Sequence, residues 1–253
     1  MPERRLRFGA FVAGRRKQLG MNRKDLAMRT TWSEAVITKI EQATRPPTVD
    51  TLIALFDALA IPTMYREQLF NLLYPGIIQE MYGALPATPT PSDLADLASY
   101  PYPAAFMLLP ETDVVATSPL WPVALPGMVA GRNLMEWIFT DPYAEKVLVD
   151  WETYAHAYAA GMNLTGRALF APGRYDQIQA VCSAHPEWGR LSTKPVSGTA
   201  GLNENLRIRS PLGGHDVEYL IKIDRPEFPR RAWFTYRFVP KAARVGVPLV
   251  PAP

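Results

Sequence analysis

From Leu6 to Tyr74 the apolar residues fall three and four apart, which puts them on one side of a helix, and they come in short blocks. Phe8, Phe11, Val12 and Leu19 form the first block, which stops at Gly20, the residue type expected just past a helix end. Asn22 is placed to cap a second helix, with Asp25 three residues on to return the hydrogen bond, and Leu26 and Ala27 face inward. Ser33 caps a third helix that runs to about Gln42, with Val36, Ile37 and Ile40 as its apolar side. Arg45-Pro46-Pro47 ends that helix, because proline cannot continue the hydrogen-bond ladder. Thr48 caps a fourth with Leu52, Leu55, Phe56 and Leu59, and a fifth, about Tyr65 to Leu73, carries Leu69, Phe70, Leu72 and Leu73.

The texture changes in the segment ALPATPTPSD from Ala84 to Asp93, where three prolines within six residues argue for an extended linker. This divides the chain into a domain over 1–80, a linker over 81–92 and a second domain over 93–253. The second domain opens on two short strands, Ala104 to Leu109 and Asp113 to Thr117. Asp141 followed by Pro142 reads as a helix start, and Ala144, Val147, Leu148, Trp151, Ala155 and Tyr158 continue as one long apolar stripe, with Glu145, Lys146 and Glu152 opposite. Strict alternation returns near the end: Val217, Tyr219, Ile221 and Ile223, then Phe234, Tyr236 and Phe238. The expected fold is an all-α domain of five helices followed by an α+β domain with an antiparallel sheet.

Charge sharpens this division. Residues 1–50 hold eleven Lys/Arg against five Asp/Glu, whereas the whole chain has a net charge of only +3. A basic surface on the helical domain fits a phosphate-bearing partner. Cys182 stands alone, and His156, His185 and His215 are scattered, so neither an internal disulfide nor a metal site is expected. No run of residues has the length and apolarity of a membrane helix, and the N-terminal segment lacks the apolar core of a secretory signal; a cytoplasmic protein is expected.

The segment from Asn22 to Glu41, NRKDLAMRTTWSEAVITKIE, resembles the helix-turn-helix of the phage-repressor and Cro-like, or Xre, family. Ala27 is the small residue between the two helices, Ile37 and Ile40 the buried pair of the recognition helix, Glu41 the usual acid, and Arg16 the basic residue ahead of the motif. The resemblance implies a five-helix DNA-binding domain over about residues 6–74, with the third helix in the major groove. Glu34, Ala35, Thr38 and Lys39 would then face base edges, and Arg16, Asn22, Arg23 and Arg45 would hold phosphates. Such domains pair on two half-sites, so a homodimer on a palindromic operator is the expected partner arrangement. Two positions depart from the family: Thr31 stands where the turn usually has Gly, and Ala43 where the recognition helix usually ends in Gly.

The second domain resembles the ligand-binding domain of the MmyB-like transcription regulators, through Trp137, Phe139, Asp141-Pro142, Ala144 and Val149-Asp150-Trp151. The strand pair over Ala104 to Ser118 fits that family's opening hairpin, with Ser118 where an Asn is usual, and His185-Pro186-Glu187-Trp188 fits a later helix. The resemblance implies a PAS-like fold around an apolar cavity, a small fatty-acid-like ligand, and no other cofactor. Phe106, Leu108, Val115, Trp121, Trp137, Phe139, Trp151, Tyr154 and Tyr158 are candidates for its lining, each with ordinary core packing as the alternative. No catalytic residue is assigned: there is no Gly-rich phosphate loop and no G-x-S-x-G, and Cys182 and His185 stand without further catalytic company. Two other functions stay open for this domain, dimerisation or protein docking alone, and a tethered enzyme.

Overall fold

The computed structural model describes residues 2–74, 76–83, 85–194, 204–209 and 216–241. It divides into two compact units, Met1–Ala84 with Gly161–Tyr175, and Leu85–Ala160 with Asp176–Pro253. Residues 242–253 of the expected second domain lie outside the described residues.

The first unit contains α1 (Pro2–Gln18), α2 (Arg23–Thr30), α3 (Glu34–Glu41), α4 (Val49–Ala58), α5 (Thr63–Leu73) and a short α6 (Ile77–Tyr82). The caps do what their side chains dictate. Asn22 and Asp25 close a reciprocal capping box on α2, Ser33 accepts from the Val36 amide, and Thr48 accepts from the Thr51 amide, so amides without helical partners are satisfied at three helix starts. The stripes then meet in one core of Phe8, Val12, Leu26, Ile37, Ile40, Leu52, Leu55, Leu59 and Leu69. Gly9 lets α1 come close to the end of α3: a Cβ there would lie 2.5 Å from the Glu41 carbonyl oxygen and 2.7 Å from that of Ile40.

The second unit carries the sheet. β1 (Ala104–Leu108), β2 (Asp113–Thr117), β3 (Asn205–Ile208), β4 (Val217–Asp224) and β5 (Phe234–Pro240) are ordered β2-β1-β5-β4-β3. Every neighbouring pair is antiparallel. The central β5 is buried along most of its length, whereas the expected inward positions of β4 are half-buried and Val217 is exposed. α7 (Pro91–Ser99) begins at the last residues of the expected linker: Thr90 and Asp93 form a capping box and Pro91 takes the first helical turn, where its missing N–H costs nothing. The remaining helices are α8 (Trp121–Ala124), α9 (Leu134–Thr140), α10 (Ala144–Val147), α11 (Trp151–Leu169), α12 (Arg174–Cys182) and α13 (Trp188–Thr193).

The stripe expected to make one long helix after Asp141 is broken in two. The Val149 amide donates to the Arg207 carbonyl, the Arg209 amide donates to the Val147 carbonyl, and Leu148 bridges Ile208. Backbone groups that would have continued α10 are therefore used on the edge of β3. α11 itself kinks at Gly166, whose φ of 54° and ψ of −166° are outside the helical region.

Candidate functional site

α2 and α3 form the helix-turn-helix, joined through Thr31, which ends α2 in the left-handed conformation with φ 58° and ψ 12°. Ala43, just past α3, has φ 59°. The turn thus keeps the geometry that usually calls for glycine, with the strain of a Cβ left in place. On α3, Ile37 and Ile40 are buried while Glu34, Ala35 and Lys39 are exposed. Thr38 is half-buried and its hydroxyl donates to the Glu34 carbonyl at 2.9 Å. Asn22 and Arg45 are exposed on the same unit, and the Arg45 amide donates to the Lys39 carbonyl, holding the segment after α3 against the helix.

Arg16, expected on a phosphate, is 6 % exposed and differently engaged. Its Nε and Nη2 donate to the two carboxylate oxygens of Glu41 at 2.6 and 3.1 Å, and its Nη1 donates to the Met21 carbonyl at 2.8 Å. Arg23 Nε reaches the same carboxylate at 2.8 Å from a side chain that is 41 % exposed. Glu41 is therefore a buried anion shared by two cations, tying α1, α2 and α3 into one body. Burial pushes its carboxyl upward, but the hydrogen bonds and charges of Arg16 and Arg23 outweigh that and hold it below its ordinary value. The basic residue and the acid recognised in the motif were legible from spacing; their pairing was not, because it spans 25 residues.

In the second unit the nine residues considered for a ligand lining do not share one space. Phe106, Leu108 and Val115 pack with Leu97, Ala104 and Trp233, and Phe106 stacks on Trp233 at 5.1 Å. Phe106 pairs with Thr235, so strand alternation puts it on one face of the sheet and Phe238 on the other. Trp121 lies against Phe238 at 4.6 Å, on that other face. Phe139 and Trp151 join His185 and Trp188 in an aromatic cluster, with Phe139 edge-on to Trp188 at 5.0 Å and to Trp151 at 6.0 Å. The Trp137 indole donates to Pro126 and that of Trp151 to Ile138. The Tyr154 hydroxyl donates to the Asn205 carbonyl and accepts from the Arg207 amide, tying α11 to β3. Tyr158 is half-buried.

These bonds explain much of the Trp137 to Trp151 motif. Asp141 ends α9 and is not an ordinary helix start: its carboxylate accepts from the Tyr143 amide at 3.0 Å and from Arg132 Nη1 at 2.9 Å. Arg132 Nη1 also donates to the Gly127 carbonyl, and Gly127, at φ 80°, packs so closely that a Cβ would come within 3.2 Å of both partners. Ser118, at the position where an Asn was expected, is buried and accepts from the Ala104 amide at 2.9 Å. Arg132, Gly127 and Gly9 were not singled out in the sequence, since each matters through a partner distant in the chain or through close packing.

A basic helix-turn-helix with an outward-facing third helix, joined to a domain of mixed helices and a five-stranded antiparallel sheet, defines a DNA-binding transcription regulator. A family model described as MmyB-like transcription regulator ligand binding domain matches residues 92–242, and one described as helix-turn-helix matches residues 13–65. The chain belongs to the MmyB-like transcription regulators, with a ligand-binding domain behind an Xre-like helix-turn-helix. Comparison with curated proteins gave no match.

Proposed function

We propose that two copies of this chain bind a palindromic operator in the cytoplasm, with α3 of each in the major groove, and that an apolar, fatty-acid-like molecule held by the second unit alters that binding. The observation that carries the DNA half is α3 itself: Ile37 and Ile40 anchor it in the core while Glu34, Ala35 and Lys39 face out. Lys39 is suited to guanine O6 and N7, Glu34 to cytosine N4, and Ala35 to a thymine methyl; Thr38 lies beside them on the helix. Asn22, Arg23 and Arg45 are assigned to phosphates, with Arg16 reassigned to bracing the motif through Glu41.

For the ligand half, the five-stranded antiparallel order fits a PAS-like domain. Trp121 is fully buried, and its indole nitrogen has no hydrogen-bond partner among the described residues. An apolar ligand with an oxygen at one end would satisfy that donor, which favours a fatty acid over a hydrocarbon.

Selection of bound fragments from a random DNA library tests the first half. Lys39→Ala is expected to relax preference at one position of each half-site, and Arg45→Ala to weaken binding to all sequences while reducing the salt slope by about one. Identical losses from both variants on selected and random DNA would overturn the assignment. For the second half, native mass spectrometry of the purified chain should show co-purifying lipid, or dodecanoate should raise the melting temperature and do so less for Trp121→Phe. A clean unliganded mass with no shift would favour a domain used for dimerisation or docking.

A further inference from the structure

On the face of the sheet that carries Phe238, one strand lies open between two that are closed. Leu206 and Ile208 of β3 and Tyr236 and Phe238 of β5 are buried. Between them the pairing puts Val217, Tyr219, Ile221 and Ile223 of β4 on the same face, Val217 and Tyr219 opposite Ile208 and Leu206, and Ile221 and Ile223 opposite Phe238 and Tyr236. Yet Tyr219, Ile221 and Ile223 are half-buried and Val217 is exposed. A row of apolar side chains left open between two closed rows is the floor of a trough one strand wide. Neighbouring strands lie about 4.8 Å apart, so the flanking rows stand about 10 Å from each other. At its Val217 end the trough meets a surface hollow of about 430 Å³ that Pro240 and Lys241 also line. Trp121 stands against the β5 wall: its indole lies 4.6 Å from the ring of Phe238, the residue paired with Ile221, and its buried nitrogen has no acceptor among the described residues.

We propose that this trough holds a single unbranched acyl chain, with its oxygen-bearing end at the Trp121 indole and its tail running over Ile221 and Tyr219 to emerge at Val217. The proposal rests on the ligand-binding reading and adds where the chain lies, which way it points and how long it can usefully be. Once the wall side chains take their share of the width, what remains fits one hydrocarbon chain and not a fused-ring lipid. Direction follows from polarity: a buried donor without an acceptor attracts the polar end beside Ile221, whereas the Val217 end opens to water. From Ile221 to Val217 the strand advances about 13 Å, at about 3.3 Å per residue. A saturated chain advances about 1.3 Å per carbon, given bonds of about 1.5 Å at tetrahedral angles. About ten carbons therefore cover the floor, and further methylenes pass into solvent.

The test is calorimetric titration of the full-length chain with unbranched carboxylates from hexanoate to hexadecanoate, each below its micelle concentration. Affinity should rise about fourfold per methylene up to about ten to twelve carbons and then level off, since burying a methylene is worth about that factor and later ones stay in water. Val217→Ser should weaken dodecanoate about tenfold and leave octanoate unchanged, because only the longer tail reaches Val217. Ile221→Ser should weaken both acids about tenfold, and Leu220→Ser, its neighbour on the opposite face of β4, should weaken neither. Where Ile221→Ser lowers the unliganded melting temperature, Ile221→Val keeps the fold and should weaken both acids about fourfold. The reverse pattern, Val217→Ser weakening octanoate while Ile221→Ser spares it, would overturn the proposal and leave a fatty acid as the ligand. So would equal losses from Leu220→Ser and Ile221→Ser. Failure of every acid to bind the unaltered chain would remove the ligand reading and the trough with it.

Discussion

Glu41 accepts from Arg16 and Arg23 with its side chain only 2 % exposed, so most of its interaction energy rests on staying ionised. Arg16→Ala removes two of the three charge-assisted hydrogen bonds to Glu41 and leaves Arg23 as its remaining cation, so it is expected to destabilise the first unit by about 3 kcal/mol in urea denaturation. The pH dependence has a definite sign. The folded carboxyl lies below its ordinary value of 4.5, so its stabilisation is complete above that pH and is lost as pH falls through the lowered folded value. Glu41→Gln should flatten this acid limb of the stability profile while lowering stability at neutral pH; an unchanged limb would show that other carboxylates govern it. Thr31 presents the opposite case, a residue whose conformation is strained at φ 58°. Thr31→Gly should raise stability by about 1 kcal/mol without altering the selected DNA sequence, because the residue ends α2 and does not sit on the reading face of α3.

At the scale of elements, the approach of α1 to α3 through Gly9 gives a sharper test of how the reading helix is held. A methyl there would meet carbonyl oxygens of the backbone and not a movable side chain, so Gly9→Ala should displace the end of α3. The expected outcome is weaker, less selective DNA binding, with altered amide shifts concentrated over Ile40 and Glu41. The helices of the first unit were legible because each begins at a side chain that caps it and continues with a stripe that finds the core: Asn22, Ser33 and Thr48 are read locally. The same local logic misread the stripe from Ala144 to Tyr158, where β3 takes the backbone groups of Val147 and Val149. β3 itself has only Leu206 and Ile208 as buried positions in four residues, too short an alternation to stand out. At Pro91 the number of prolines hid a capping box that Thr90 and Asp93 spell out. Of the nine proposed lining residues, Phe106, Leu108 and Val115 lie on strands and the other six on helices; that Phe106 and Trp121 fall on opposite faces of the sheet becomes visible only once Phe106 is paired with Thr235 and Trp121 is found against Phe238.

For the molecule as a whole, the consequential departure from a linear arrangement is that the DNA-binding unit borrows residues 161–175. A boundary drawn at the proline-rich segment would cut Arg7 from its three carbonyl acceptors and remove Ala168 and Leu169 from the core. Hydrogen bonds from a charged donor contribute about 1.5–3 kcal/mol, which for a domain of this size corresponds to about 6–24 °C in melting temperature. A fragment of residues 1–84 is therefore expected to melt lower than the same fragment carrying residues 161–175 on a flexible Gly/Ser linker. With Arg7→Ala, much of that difference should vanish, since the segment's strongest polar tie is gone while the packing of Ala168 remains. Differential scanning calorimetry of the four proteins decides it. Equal melting of the two Arg7-containing fragments would show that 161–175 adds nothing to the helix-turn-helix unit, and an undiminished difference with Arg7→Ala would assign the stabilisation to packing alone.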